Sequence, residues 1–304
     1  SNDGTLLRCF KDVGYDNVLG VDPADEIAYE ATQNGIPTIN AYMDKETADK
    51  IFKEHGKASV ITANNVYAHV DDLSGMTNAI KAVLAEDGIF VFEVSYLLDV
   101  VEKMLIGTIF HEHLCYHSVK AMSRFLESHD MELIHVERGP EQGGSIVGYA
   151  QFSDGPKGIQ DSVAKLLKLE KERELDRPET IRGMYEGLES VKTEVRNLIT
   201  DLRKENKTIA GFGAARAGTT LLSYFGIGSQ LDFLVDDNKT KHYKFSPGDK
   251  LEVLPTSDIY TKKPDYLLIL AWLHADKIIQ SHKRYLDERG IFLRLFPGVT
   301  EIKS

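Results

Sequence analysis

Ala58-Ser-Val-Ile-Thr-Ala-Asn-Asn-Val-Tyr-Ala-His69 reads as a buried strand, Ala58–Thr62, running out into a polar turn, Ala63–His69. A short apolar run that stops at turn residues is the signal of a parallel-sheet strand. The same alternation repeats outward from it. Upstream, Asn17–Val21 is a short apolar run ending in Asp22, Ala24–Asn34 is helical, Thr38–Asn40 is a short strand or turn, and Lys45–His55 is an amphipathic helix. Downstream, Leu73–Ala85 is helical and Gly88–Glu93 is another strand. Strands and helices alternating at this spacing predict a doubly wound, mostly parallel α/β sheet. In such sheets ligands sit at the carboxyl ends of the strands. Ser1–Gly4, Asp22, Asn64–His69 and Glu93 all fall at such ends and outline one crevice.

Ser1-Asn-Asp-Gly4 reads as a glycine turn opening a helix, Thr5–Val13, with no strand before it, so the sheet is expected to lack its first strand. Asp22 has two readings. It can accept hydrogen bonds from ribose hydroxyls, or it can cap the helix that begins at Ala24, with Pro23 suited to that start.

Thr108-Ile-Phe-His-Glu-His-Leu-Cys-Tyr116 packs His111, Glu112, His113, Cys115 and Tyr116 into one loop-like stretch. A metal site is one reading, since His111 and Cys115 are four apart, as are His113 and His117. The zinc pattern H-E-x-x-H fails, because Cys115 stands where the second histidine belongs, and no metal is expected. A polar loop with hydrogen-bonded histidines is the second reading. The third is general acid/base work by a histidine beside a carboxylate.

Beyond this loop, Ser118–His129 is helical, and Met131–Glu137 and Ser145–Gln151 read as a hairpin. The glycine-rich loop Arg138–Gly144 between them either lies over a ligand or simply connects the strands. Gly155–Glu205 is a polar, helical connector broken near Asp176-Arg-Pro178. The α/β pattern then restarts. Thr208–Ala210 is a strand followed by Gly211-Phe-Gly-Ala-Ala-Arg-Ala-Gly218 and a helix to about Phe225. Leu231–Val235, Tyr266–Leu270 and Ile291–Leu293 are further strands, with a helix over Asp276–Arg289. A glycine turn at a helix N-terminus is a natural anion site, and Arg216 adds positive charge. With Asp236 it also approaches a dinucleotide fingerprint at unusual spacing, the lesser reading being that the glycines serve only tight helix–strand packing.

The bulk properties set limits. The 304 residues are enough for two domains with real cores. A net charge of −11 disfavours nucleic acid and anionic membranes as partners. Two cysteines, Cys9 and Cys115, build neither a disulfide framework nor a four-cysteine zinc site. No run is apolar enough for a membrane span and no secretory signal is visible, so a cytoplasmic location is expected; separately, the chain is expected to be a monomer or homodimer.

Read together, the chain resembles the S-adenosylmethionine-dependent C-methyltransferases of nucleotide-linked deoxysugars. The resemblance rests on Ser1–Leu7, Leu19–Ala24, Asn65–His69, Thr108–Leu114, Gly143–Ser145, Gly211–Ala214, Gly218–Leu222 and Pro264–Leu270. It implies two Rossmann-like domains: a methyltransferase domain over residues 1–154 and a smaller doubly wound domain over residues 207–304. The helical connector over residues 155–206 joins them. S-adenosylmethionine is the implied cofactor, lined by Ser1, Asn2, Asp3, Gly4, Asp22, Pro23, Asn64 and Asn65. A nucleotide sugar is the implied substrate, near Gly143, Gly144, Gly211, Gly213, Ala214, Arg216 and Asp236. His113 is the implied base with Glu112 beside it. His69, Tyr116 and Tyr67 are candidate donors to the developing enolate oxygen. The base would remove a proton next to a 4-keto group, and the enolate carbon would take the methyl group.

The chain departs from the family pattern in three places. Phe110 stands where tyrosine is common. Arg216-Ala217 stands where a lysine is common just before the last glycine, so phosphate contacts are expected to differ. The first strand and an N-terminal cysteine-rich zinc module are not in the sequence, and zinc is expected only in such a module. Two other functions fit parts of the chain. An NAD-dependent oxidoreductase would use Gly211–Gly218 and Asp236. A non-catalytic relative would bind sugar nucleotides without turnover.

Overall fold

Alternation of apolar residues places the strands, and amphipathic spacing places the helices between them. The computed structural model describes residues 1–304. Residues 1–152 run Thr5–Asp12 (α1), Gly20–Asp22 (β1), Asp25–Gln33 (α2), Thr38–Asn40 (β2), Lys45–His55 (α3) and Ala58–Asn64 (β3). They continue through Leu73–Val83 (α4), Leu84–Ser95 (β4), Leu97–Glu102 (α5), Val119–Glu127 (α6), Met131–Gly139 (β5) and Ser145–Phe152 (β6). Two long helices follow, Asp161–Glu172 (α7) and Pro178–Lys204 (α8). The remainder is Ile209–Phe212 (β7), Arg216–Phe225 (α9), Phe233–Asp236 (β8), Lys244–Phe245 (β9), Glu252–Pro255 (β10), Asp258–Lys262 (α10) and Tyr266–Ile269 (β11). Ala275–Ser281 (α11), Lys283–Asp287 (α12), Ile291–Arg294 (β12) and Thr300–Ile302 (β13) complete the chain.

These elements form two compact units. The first takes Ser1–Val94, Leu114–Gly139 and Ser145–Leu169; the second takes Ser95–His113, Pro140–Gly144 and Glu170–Ser304. The second unit therefore gathers the first part of the histidine loop and the glycine-rich 140–144 loop together with the C-terminal residues.

In the first unit, β1 pairs in parallel with β2, and a separate sheet runs β3-β4-β6-β5. Strands β3 and β4 are parallel, and β5 and β6 form the expected antiparallel hairpin. The two sheets are joined through a helical layer. Ala48 and Ile51 of α3 and Ala79 and Val83 of α4 form a core against which Val21, Ile39 and Ile61 pack. Ala58–Thr62 was expected to be buried, but Ser59 and Val60 are exposed, Val60 by 48%. The reason is position: β3 is the edge of its sheet and pairs on one flank only. The inner core of this unit is aromatic. Tyr67, Phe90 and Phe92 are fully buried, with ring centroids 5.4–5.8 Å apart.

In the second unit the sheet runs β13-β12-β11-β7-β8-β10-β9, with the five inner strands parallel and both edges antiparallel. Leu188, Val191, Val195, Ile199 and Leu202 of α8 form one stripe into its core, as spacings of three and four dictate. The expected helix Asp276–Arg289 is two helices, α11 and α12, meeting at the non-helical His282. The His282 ring is held by the Tyr260 hydroxyl at 3.0 Å and packs on Phe212 at 5.3 Å, contacts that favour the break. Winding proceeds from β7 through β8 to β10 on one side and from β11 to β12 on the other. The order reverses between β7 and β11, and there a doubly wound sheet opens its ligand crevice.

Gly148 in β6 has no room for a methyl group, because a Cβ there would overlap the Phe92 ring. Gly148→Ala is expected to cost about 1–3 kcal/mol by overpacking, read as a lowered midpoint in chemical denaturation.

Candidate active site

In the first unit the predicted cofactor residues form two hydrogen-bonded groups at strand ends. Asn2 lies at φ 53° and Gly4 at φ 78°, the left-handed backbone of a tight turn before α1. This turn closes on Asp22. The Asn2 amide donates to Asp22 Oδ2 at 2.7 Å, the Ser1 nitrogen donates to the same oxygen at 3.1 Å, and the Ala24 amide donates to Oδ1 at 3.0 Å. Partial burial pushes the Asp22 carboxyl up, but these donors outweigh it and hold it below its ordinary value. Asp22 is therefore an ionised acceptor at the end of β1. The cap of α2 is Ala24 rather than Asp22. Asp3 accepts from the Thr5 amide at 3.0 Å, and Pro23 leads into α2.

The second group centres on Glu93, which the sequence placed at a strand end without a role. Its Oε2 accepts from Asn64 Nδ2 at 3.1 Å and its Oε1 from the Ser145 hydroxyl at 3.1 Å. The Asn65 amide donates to the Glu93 carbonyl at 2.8 Å, with Asn65 at φ 54°. Carboxylates and amide oxygens dominate both groups. Such a set fits a ligand carrying ribose hydroxyls and positive charge, as S-adenosylmethionine does.

The turn after β3 meets the segment after the histidine loop. The Leu114 amide donates to the Ala68 carbonyl at 2.8 Å, and Cys115 Sγ lies 3.4 Å from His117 Nε2. His69 is exposed and Tyr116 half-buried. Tyr67, a candidate donor, is instead core: its hydroxyl bonds Thr77 Oγ1 at 2.7 Å, and burial pushes its phenol up to about 12. No group of three or more His, Cys, Asp or Glu side chains is arranged to hold a metal.

In the second unit the root of the histidine loop lies against Trp272 and α9. A Cβ on Gly107 would come within 2.5 Å of the Trp272 ring and 2.7 Å of the Ala217 Cβ. Trp272 follows β11 and Ala217 lies in the first turn of α9, so the loop's root lies against the elements that flank the switch-point crevice. Thr108 is buried and its hydroxyl donates to the Leu105 carbonyl at 2.7 Å. Further along, the Phe110 ring lies 4.2 Å from the half-buried His113 ring. Glu112 is exposed, its carboxylate 3.9 Å from His111 Nε2, while the His111 side chain is 90% exposed.

The predicted glycines acquire packing reasons. Gly211 is enclosed by Leu234, Leu270 and Leu231, and Gly213, at φ 107°, lies against Ala271. Gly144 lies against Asp99, and the Gly143 carbonyl accepts from Lys103 Nζ at 2.6 Å. Asp99 is fully buried and paired with Lys103 at 2.6 Å. The loop Pro140–Gly144 is thus fastened to α5. One acid inside the apolar run Leu97-Leu-Asp-Val-Val101 was the signal for this pair. Asp236 accepts from the amides of Ala214 and Asn238 at 2.8 Å each and from Lys241 Nζ at 3.0 Å. Ala214 also borders a cleft of about 280 Å³ lined by Thr240, Lys241, Lys244, Phe245 and Ser246.

Residues 140–297 match the model of the C-methyltransferase C-terminal domain, and residues 1–136 match that of a methyltransferase domain. The chain belongs to the C-methyltransferase family. As a member it is an S-adenosylmethionine-dependent C-methyltransferase. C-methyltransferase NovU of Streptomyces niveus is 33% identical over 298 residues, covering 98% of this chain and 71% of that protein. Solved structures resemble it more loosely. A SAM-dependent methyltransferase from Anabaena variabilis is 12% identical, covering 50% of this chain and 74% of that one, with a TM-score of 0.39. Magnesium protoporphyrin IX methyltransferase of Synechocystis PCC 6803, with bound SAH, is 14% identical, covering 49% and 69%, with a TM-score of 0.38.

Burial pushes the Asp236 carboxyl up, but its two amide donors and the Lys241 ammonium hold it below the ordinary 3.8. A depressed carboxyl contributes stability that is complete above the ordinary carboxylate range and lost as pH falls through the folded value. Asp236→Asn is expected to cost about 1–3 kcal/mol at pH 7 and to flatten the loss of stability below pH 3.8, both read by chemical denaturation across pH.

Proposed function

We propose that this C-methyltransferase acts on a nucleotide-linked 4-keto deoxysugar, with His113 as the base that makes the acceptor carbon nucleophilic. The observation that carries this reading is the seating of the histidine loop. Its root packs on Trp272 and Ala217, and the His113 ring is half-buried against Phe110. The same seating weakens the nicotinamide alternative, because it sets this chain's own Gly107 against the first turn of the helix a dinucleotide would need.

The family gives methyl transfer to carbon. A saturated carbon beside a carbonyl becomes nucleophilic when it loses a proton, which the carbonyl makes removable by a positioned base. His113 takes the proton. Tyr116 and His69 donate to the oxygen on which negative charge collects, by oxyanion-hole logic. Burial and the neighbouring Cys115 push the Tyr116 phenol up, which keeps it protonated and able to donate. Glu112 contributes negative charge to the loop, its carboxylate 3.9 Å from His111 Nε2. Asp22, Asn64 and Asn65, with the Ser1–Gly4 turn and Pro23, hold S-adenosylmethionine, which when bound supplies the electrophilic methyl group. Lys241 and Lys244 supply positive charge for the nucleotide's phosphates near Ala214. The backbone at Gly143, Gly144, Gly211 and Gly213 and the Asp236 lock shape the walls around them.

The test is His113→Asn in a methyl-transfer assay with a 4-keto sugar nucleotide. Turnover is expected to fall about 10²–10⁴-fold, while calorimetric binding of S-adenosylhomocysteine is unchanged. Near-normal turnover would remove His113 from the role, and binding of NAD in place of S-adenosylhomocysteine would overturn the cofactor assignment.

A further inference from the structure

The first residue of α9 reaches the histidine loop. The Arg216 guanidinium carbon lies 3.6 Å from the centroid of the Phe110 ring. That same ring lies 4.2 Å from the His113 ring at an interplanar angle of 41°. One phenyl group therefore touches both the cation at the head of α9 and the base.

The phenyl ring of Phe110 offers no hydrogen bond, so contacts on its faces and edge orient it. A guanidinium prefers the negative face of an aromatic ring, and its planar shape covers that face. Behind Phe110 the loop is already immobilised at its root by Gly107 against Ala217 and Trp272 and by the Thr108 hydroxyl on the Leu105 carbonyl. Ahead of it, the His113 amide donates to the Phe110 carbonyl at 3.0 Å. His113 is thus tied to Phe110 through both backbone and ring, and Phe110 is tied to Arg216.

We propose that Arg216 is a positioning residue for the base: its guanidinium clamps Phe110, and Phe110 sets the direction of the His113 imidazole. The inference rests on the reading of His113 as the base. It assigns Arg216 a role distinct from phosphate binding, because a phosphate ligand would act on substrate affinity whereas a clamp acts on the proton-transfer step. Activity depends steeply on such placement, since a misplacement of about 1 Å can cost ~100-fold.

The experiment uses the intact chain and the variants R216Q, R216K, F110L and R216Q/F110L, with circular dichroism confirming that each folds. The first readout needs no substrate: the rate at which diethylpyrocarbonate modifies His113, followed by peptide mass spectrometry. The second is kcat and KM with S-adenosylmethionine and a 4-keto sugar nucleotide. R216Q and F110L are expected to raise the modification rate severalfold and lower kcat about tenfold with KM little changed. R216K recovers part of kcat, because it keeps the charge without the flat surface. The double variant is no worse than the poorer single variant, because both changes break one clamp. An unchanged modification rate and kcat in R216Q would overturn the proposal. So would a raised sugar-nucleotide KM at constant kcat, or multiplicative losses in the double variant. A wild-type chain that folds and shows the modification difference yet transfers no methyl group would overturn the functional reading while supporting the clamp.

Discussion

Gly107 has no space for a side chain, and much of the second unit's geometry depends on that constraint. Trp272, just past β11, and Ala217, in the first turn of α9, close on its α-carbon from either side of the switch-point crevice. A larger residue would have to displace a ring and a helix at once, which a close-packed interior resists. With Gly107 fixed, Thr108 turns inward, Phe110 comes to rest under Arg216, and His113 comes to rest against Phe110. The histidine loop borrows its rigidity from a sheet some hundred residues away in sequence.

The same economy appears in four carboxylates, three at strand ends and one in α5. Asp22, Glu93, Asp99 and Asp236 each accept hydrogen bonds or an ion pair within their own unit. Each ties a turn or loop to the framework, as Asp99 holds the glycine-rich 140–144 loop through Lys103. An acid at the carboxyl end of a strand is therefore not by itself a ligand contact; its remaining lone pairs decide what it offers.

Much of the fold was legible from local pattern. The alternating elements, the hairpin of β5 and β6, the break before Pro178 and the glycine turn before α9 all stand where the sequence placed them. Short elements escaped it: β9, β10, β13 and α5 span two to six residues and carry too few positions to show a period. Val60 misled because an apolar residue in a strand reads as buried, whereas the number of neighbours a strand acquires is set by distant chain. The 276–289 helix was read as continuous because nothing local marks His282, whose ring is held by Tyr260 and Phe212 from other elements.

The sequence by itself determined the α/β class, the order of the elements, the chemical inventory of the histidine loop and the family. The class and element order follow from periodicity, and the family from its resemblance in motifs such as Thr108–Leu114. Tertiary structure alone decided which side chains meet. It buried Tyr67 against Thr77, set the Glu112 carboxylate beside His111, tied Asp236 to Lys241, and brought one phenyl ring against both Arg216 and His113. Those pairings join residues far apart in the chain, and no local signal specifies them, because their geometry exists only once the sheets have closed around them.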